Sequence, residues 1–220
     1  MGFSMRRIVV VGSSCSGKTS MAISIARILC LPHVEIDAIV WLDAWSLPSD
    51  EQLLAQMKNV IAPEAWVIDG VFPEHRDMVW SAADTVVWLN FPATVVFTRA
   101  LRRTIKRCIT HEKLGSHNVE TWRRTFFSRN SQLLWVIQSW RKRRRDYPKI
   151  MRQKKFDHIR FIQFRSPGEA QAWLEKLEAA QAAERAGGPQ ISGQSMQSQS
   201  PPKSPGAWQK YGSNVPPLSA

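Results

Sequence analysis

Residues Gly12, Ser13, Ser14, Cys15, Ser16, Gly17, Lys18 and Thr19 place two glycines and a Lys-Thr pair at the spacing G-x-x-x-x-G-K-T. Those residue types at that spacing suit the cradling of nucleotide phosphates. The glycines let the backbone curl until its N–H groups face one centre. The lysine reaches the outer phosphates, and the threonine hydroxyl ligates Mg²⁺. With Ser20 in the turn that follows, Gly12 to Ser20 read as one binding loop, with Lys18 acting in the chemistry and Thr19 on the metal. Two further carboxylates, Asp37 and Asp69, each close a short strand-like run, wholly apolar before Asp69. Such a carboxylate either helps hold Mg²⁺ or takes a proton from an attacking hydroxyl; the plainer alternative is that it caps a turn. Asp69 reads as the metal-side residue and Asp37 as the catalytic one.

Cations accompany these groups. Arg99, Arg102, Arg103, Lys106 and Arg107 recur at i, i+3, i+4, i+7 and i+8, beside Phe97, Leu101 and Ile105, which read as the core face of the same helix. No acid lies between Phe91 and His111 to relieve the stripe. It either waits for an anion or is a solvated basic face. Between Arg99 and Lys155 there are 18 basic residues and 3 acidic ones, so this stretch carries more than the whole net charge of +12. A field of that sign favours nucleotides or nucleic acid without choosing between them. The run Arg141-Lys142-Arg143-Arg144-Arg145 either suits the negative end of a helix or contacts nucleic acid.

The elements that must position these groups follow from the apolar patterning. Ile8–Val11 is a buried β-branched run directly before the loop, and Met21–Leu29 is apolar at helical spacing directly after it. Further strands are expected at His33–Asp37, Trp66–Gly70, Thr85–Asn90 and His158–Phe164. Helices are expected from the capped start Ser49-Asp50-Glu51-Gln52 to about Ile61, from Ala93 to Cys108, through Arg145, and from Ser166-Pro167 to near Gly187. Strands alternating with helices predict an α/β fold with a five-stranded parallel sheet between two helical layers. Gly12, Asp37, Asp69 and Asn90 fall at strand carboxyl ends, where such sheets bind ligands. One domain is expected over residues 1–186. Residues 187–220, rich in Gly, Pro, Ser and Gln, read as a disordered tail.

Composition excludes other classes. The 220 residues are 44% hydrophobic, enough for one full core, yet no run of about 18 apolar residues predicts a membrane span. The start runs straight into the first strand, so no secretion leader is expected, and Arg6 stands where a myristoylation signal wants Ser or Thr. Cys15, Cys30 and Cys108 are odd in number and scattered, which reads as free thiols in a cytoplasmic protein.

The loop, Ile36-Asp37 with Trp41 and Trp45, Trp66–Gly70, Ala83-Asp84-Thr85, Glu120–Arg129 and the Arg141–Arg145 cluster together resemble the adenylate-kinase/shikimate-kinase-like branch of P-loop NTPases. Within that branch the chain is most similar to bacterial adenylate kinase-like or DNA-topology-modulation-like P-loop ATPases. The resemblance spans roughly residues 6 to 165. It implies a three-layer P-loop fold with a mobile helical lid over about residues 109–130, and Mg·ATP as donor. It implies Asp69 near the metal and Arg76 at the acceptor. It also implies Arg99 and Arg103 on the nucleotide, and Arg123, Arg124 and the catalytic Arg129 closing from the lid. The segment Ile36–Trp41 departs from the adenylate-kinase acceptor pattern, and Trp41, Trp45 and Trp80 either line an acceptor pocket or pack in the core. The leading expectation is an ATP-dependent kinase acting on a nucleoside monophosphate or a hydroxyl compound. The rivals are a nucleic-acid-associated ATPase or regulator of DNA topology, and a nucleotide-binding module without robust turnover.

Overall fold

The computed structural model describes residues 5–36, 49–110, 113–114, 118–119 and 132–187. By its internal contacts the chain divides into Met1–Ala186 and Gly187–Ala220, and the expected tail lies outside the described residues.

Five strands form one parallel sheet: β1 (Arg7–Gly12), β2 (His33–Glu35), β3 (Trp66–Asp69), β4 (Thr85–Leu89) and β7 (Arg160–Phe164), in the order β2-β3-β1-β4-β7. β1 is central because its core positions are wholly apolar; Ile8, Val9 and Val10 are fully buried, as a strand covered on both faces requires. Alternation divides its side chains between two cores. Ile8 and Val10 pack with Met21, Ala22 and Ile25 of α1 (Lys18–Leu29) and with Val96 and Ala100 further on. Val9 and Val11 pack with Leu53 and Met57 of α2 (Asp50–Ile61), and with Val79 and Trp80 of α3 (Arg76–Ala82). Register places Val10 beside Asp69 and Gly12 beside Leu89, which brings the carboxyl ends of three strands to one edge. At the opposite edge Asp84 ties the strands together. Its Oδ2 accepts from the amides of Arg6 and Arg7 at 2.9 and 2.7 Å, and its carbonyl accepts from Arg160 N–H at 2.8 Å.

The expected start of α2 is present as a full capping box. Ser49 Oγ accepts from Gln52 N–H, and the Gln52 side chain accepts from Ser49 N–H. One helix is new, one expected face changes, and one open alternative is decided. α3 was not foreseen; its seven residues follow Pro73 too closely for a clear period. The face of α4 (Ala93–Thr110) is rotated: Val96, Ala100 and Thr104 are buried, whereas Phe97 is 38% exposed and Leu101 and Ile105 are half-buried. A rotation of about 100° per residue explains this, because burying the 96/100/104 line sets Arg99 and Arg103 on its flank. Trp80 is a core residue, fully buried and edge-on to Tyr147 and Phe156.

Lys113–Leu114 (β5) and Asn118–Val119 (β6) form a short antiparallel ladder. α5 (Gln132–Met151), a single 3-10 turn (Lys154–Phe156) and α6 (Pro167–Gly187) complete the fold. Among the described residues no helix is long and apolar enough to cross a membrane.

Candidate nucleotide site

β1 ends at Gly12 because the chain must turn sharply there. A Cβ on Gly12 would stand 2.6 Å from Ser16 Oγ and 3.1 Å from the Leu89 carbonyl oxygen. The loop is closed by Ser16 N–H donating to Ser13 O at 3.2 Å. It passes through a left-handed Cys15 (φ 62°) and reaches Gly17 (φ 94°), the N-cap of α1, where no side chain caps the helix. The first amides of α1 therefore face outward at the positive end of the helix dipole. Ser13 and Ser16 are 3% and 1% exposed, and among the described residues neither hydroxyl has a hydrogen-bond partner. Such a backbone concavity with orphan donors fits a phosphate chain.

Ser14 to Ser20 line a groove of about 1200 Å³. Gly12 and Ser13 do not line it. Arg99 Nη1 donates to Ser16 O at 2.8 Å, its guanidinium 5.5 Å from the Phe91 ring centre, and Arg103 Nη1 donates to Cys15 Sγ at 3.9 Å. Both line the groove, whereas Arg102 and Lys106 of the same stripe do not. Lys18 Nζ reaches Ser13 O at 3.5 Å, folded back along the loop. Thr19 lines the groove, and Asp69, 3% exposed, lies at the end of β3 beside Val10; the Gly70 amide that follows donates to Val10 O at 3.0 Å. A threonine in the first turn of α1 with a buried carboxylate on the neighbouring strand is an oxygen donor set that suits Mg²⁺. Asp37, Arg123, Arg124 and Arg129 lie outside the described residues, as do Trp41 and Trp45.

The groove continues past Gly70, Val71, Phe72 and Pro73 to Arg76. Arg76 donates from Nε and Nη2 to Asp77 Oδ1 at 2.9 and 2.7 Å, while Lys155 Nζ donates to Asp77 Oδ2 at 2.6 Å. Those contacts hold the Asp77 carboxyl below its ordinary value; the Lys155 bond contributes most, partial burial opposes it, and the Arg76 bond adds to it.

The far wall of the groove is α5. The five cations read as one basic cluster behave there as individuals. Arg141 is exposed, Arg144 stacks 5.2 Å from the Trp140 ring centre, and Arg145 pairs with Asp146 at 2.7 Å. Lys142 and Arg143 line the groove. Sequence reading missed this pair, although the spacing holds a signal: Val136, Trp140, Arg143, Tyr147 and Ile150 recur at 4, 3, 4 and 3, an inward stripe with one cation in it.

A parallel sheet ordered β2-β3-β1-β4-β7, with a glycine-rich phosphate loop joining β1 to α1, is the α/β fold of the P-loop kinases. Among solved structures the shikimate kinase of Acinetobacter baumannii in complex with shikimate matches at a TM-score of 0.50 and 13% identity, over 83% of this chain and 96% of that one. A gluconokinase from Sinorhizobium meliloti 1021 matches at 0.45 and 18% identity, over 81% and 93%. A deoxyadenosine kinase from M. mycoides, with products dCMP and a flexible dCDP bound, matches at 0.44 and 13%, over 80% and 98%. No protein-family model matches the sequence, and no curated protein matches it.

Proposed function

We propose that the chain is an ATP-dependent phosphotransferase that moves the γ-phosphoryl group of Mg·ATP to a small-molecule acceptor. The observation that carries this reading is the continuity of one groove: it begins on the phosphate loop and runs on past Gly70–Pro73 to Arg76 and α5, leaving room for a second substrate. Phosphoryl transfer asks mainly for positioning and for cations around the moving group.

The loop amides and Lys18 hold the phosphates of the donor. Arg99 braces the loop by bonding the Ser16 carbonyl, and Arg103, beside Cys15, faces the developing charge. An arginine in that role is worth on the order of 10³-fold or more in rate. Thr19 and Asp69 would hold the Mg²⁺, whose charge neutralises phosphate oxygens when it is bound. Asp37 takes the proton of the acceptor hydroxyl, and Arg129 closes from the lid; both roles rest on the sequence pattern. A nucleic-acid reading would draw on Arg141, Lys142, Arg144 and Arg145, which are exposed. Arg144 stacks on Trp140 and Arg145 pairs with Asp146, which leaves less free charge for a polyanion than the run of five suggests.

The test is ADP production from Mg·ATP over a panel of nucleoside monophosphates, hydroxy acids and sugars, with a no-acceptor control. Wild type is compared with Lys18→Ala and Arg103→Ala. Acceptor-dependent turnover that collapses in both variants is the expected result. Unchanged turnover in both variants overturns the reading.

A further inference from the structure

Cys15 stands at a loop position that disfavours a side chain. Its φ of 62° lies in the left-handed region, which glycine adopts freely and a residue with a Cβ does not. A glycine would make the same turn without strain, so the backbone gives no reason for a thiol there. Cys15 is half-buried and lines the groove, with Arg103 Nη1 donating to its Sγ at 3.9 Å and Ser14 Oγ 3.9 Å from it. A separate observation marks the space inside the loop as a ligand's. Ser13 and Ser16, 3% and 1% exposed, carry hydroxyls that have no partner among the described residues. Ser16 Oγ is turned into the loop, 2.6 Å from where a Cβ on Gly12 would stand. Shielded hydroxyls of this kind call for a ligand that bonds them. The thiol therefore shares its concavity with the phosphates.

Charge and access decide what can reach that thiol. Lys18, Arg99 and Arg103 line the groove beside it, and no acid occurs from Gly12 to Ser20. Such a field gathers anions at the loop. A nucleotide is one anion that can use it. A small disulfide bearing carboxylates is another, because the loop presents a sulfur where the approach ends, and a groove of about 1200 Å³ admits it. Cys30 offers a comparison within the same chain. It is exposed at the opposite end of α1, with Arg185 Nη2 3.0 Å from its sulfur, and lies outside the groove.

We infer that Cys15 is a modification site for small anionic disulfides, and that the mixed disulfide formed there shuts the nucleotide site. The inference rests on the reading of the loop as the donor site and adds a control to it. In the exchange the Cys15 sulfur attacks one sulfur of a disulfide R–S–S–R. A new S–S bond joins Cys15 to one half, and the old S–S bond breaks. The departing half takes up the proton that Cys15 gives up and leaves as R–SH. Cys15 is oxidised and the departing half is reduced. The group left on Sγ occupies the concavity that the phosphates need and separates the sulfur from Arg103. An added thiol reverses the step by the same exchange. Nucleotide and disulfide thus exclude each other, each lowering the other's access.

The test uses the full chain and needs no turnover. Reduced protein is treated with glutathione disulfide, with and without saturating Mg²⁺ and a non-hydrolysable ATP analogue. Peptide mapping by mass spectrometry follows Cys15, Cys30 and Cys108 separately. Cys15 is expected to take up a glutathionyl group, and to do so about tenfold more slowly with the nucleotide bound. Calorimetry should show the analogue binding about tenfold or more weakly to the modified chain, with affinity restored by dithiothreitol. Cystamine, a cationic disulfide, should react with Cys15 about tenfold more slowly than glutathione disulfide, each rate taken relative to that on the urea-unfolded chain. Cys15→Ser should bind the analogue equally before and after treatment. The double variant Cys30→Ser/Cys108→Ser should respond as wild type does, and it carries the test if Cys15→Ser does not fold. Cys15 that stays reduced while Cys30 reacts, modification unslowed by nucleotide, or undiminished nucleotide binding by the modified chain overturns the inference and leaves the donor-site reading intact. Equal relative rates for the two disulfides overturn the anionic class of the reagent. A chain that binds no nucleotide before treatment overturns the donor-site reading and the inference together.

Discussion

Arg99 and Ser16 are 83 residues apart in sequence, yet Arg99 Nη1 donates to the Ser16 carbonyl at 2.8 Å. The bond joins α4 to the phosphate loop next to Gly17, where a Cβ would approach Arg99 Nη1 to 3.3 Å. The loop is thus braced from outside as well as shaped by its own glycines. Replacing Arg99 by Ala removes a charged hydrogen bond worth about 1.5–3 kcal/mol where it is well shielded. Arg99 is largely exposed, so the lower end applies. Mg·ATP affinity in Arg99→Ala is expected to fall about tenfold, and Arg99→Lys to restore part of it, because the brace is a single N–H···O bond that an ammonium can also donate. Calorimetric titration with the non-hydrolysable analogue decides it; undiminished affinity would remove the brace from the account.

A second expectation concerns packing inside the loop. Gly12→Ala puts a methyl 2.6 Å from Ser16 Oγ and close to backbone and side-chain atoms of Leu89. Overpacking of this kind costs about 1–3 kcal/mol. Ser16→Ala alone is expected to be nearly neutral, since its buried hydroxyl has no partner among the described residues. The double variant should recover part of the loss, because it relieves the hydroxyl contact and leaves the 3.1 Å approach to the Leu89 carbonyl. Urea unfolding of the three variants measures this, and strictly additive effects would refute the contact.

The strands and the loop were legible because both leave one-dimensional marks. Ile8–Val11 must be apolar on both faces, and G-x-x-x-x-G-K-T fixes its own geometry. The face of α4 was misread because Phe97 is its largest apolar residue. Val96 and Ala100, though smaller, let the helix approach the sheet closely, and the flanking arginines are the groups that must reach the loop. Arg143 was hidden for the opposite reason. It sits inside a run of five cations, and only the helix period separates the inward residue from its solvated neighbours. Trp80 looked equally suited to a pocket or a core, because neither size nor spacing tells which side of a seven-residue helix is covered. Asp37 and Arg129 keep the standing the sequence pattern gave them, since they lie outside the described residues.

A pH dependence follows from Asp77. Its carboxyl lies below the ordinary 3.8, mainly through the Lys155 bond, with Arg76 assisting against partial burial. A carboxyl depressed on folding contributes stability that is fully present above 3.8 and is lost as pH falls through the folded-state value. Asp77 is 47% exposed, so the contribution is that of a surface pair, about 0.2–1 kcal/mol. Asp77→Asn should therefore be less stable than wild type by that amount at about pH 6, and the two urea curves should converge as pH falls below 3.8 and through the folded-state value. A gap that does not close in acid would show that charge is not its source.

The last expectation tests the metal side of the site. Asp69 is 3% exposed at the end of β3, adjacent in register to Val10 two residues before the loop, whereas Thr19 lines the groove. In the proposed arrangement Thr19 supplies a neutral oxygen ligand and Asp69 the negative charge that holds Mg²⁺ close to it. Asp69→Asn keeps the shape and removes the charge. If the carboxylate serves the metal, the Mg²⁺ concentration for half-maximal turnover should rise about tenfold or more, while nucleotide binding in the presence of chelator changes little. If Asp69 only shapes the turn into Gly70, the variant should lose stability and keep its Mg²⁺ dependence. Measuring the two together separates the roles, because only a metal-side carboxylate moves the Mg²⁺ midpoint. An unmoved midpoint in a folded Asp69→Asn protein would assign the residue to the turn.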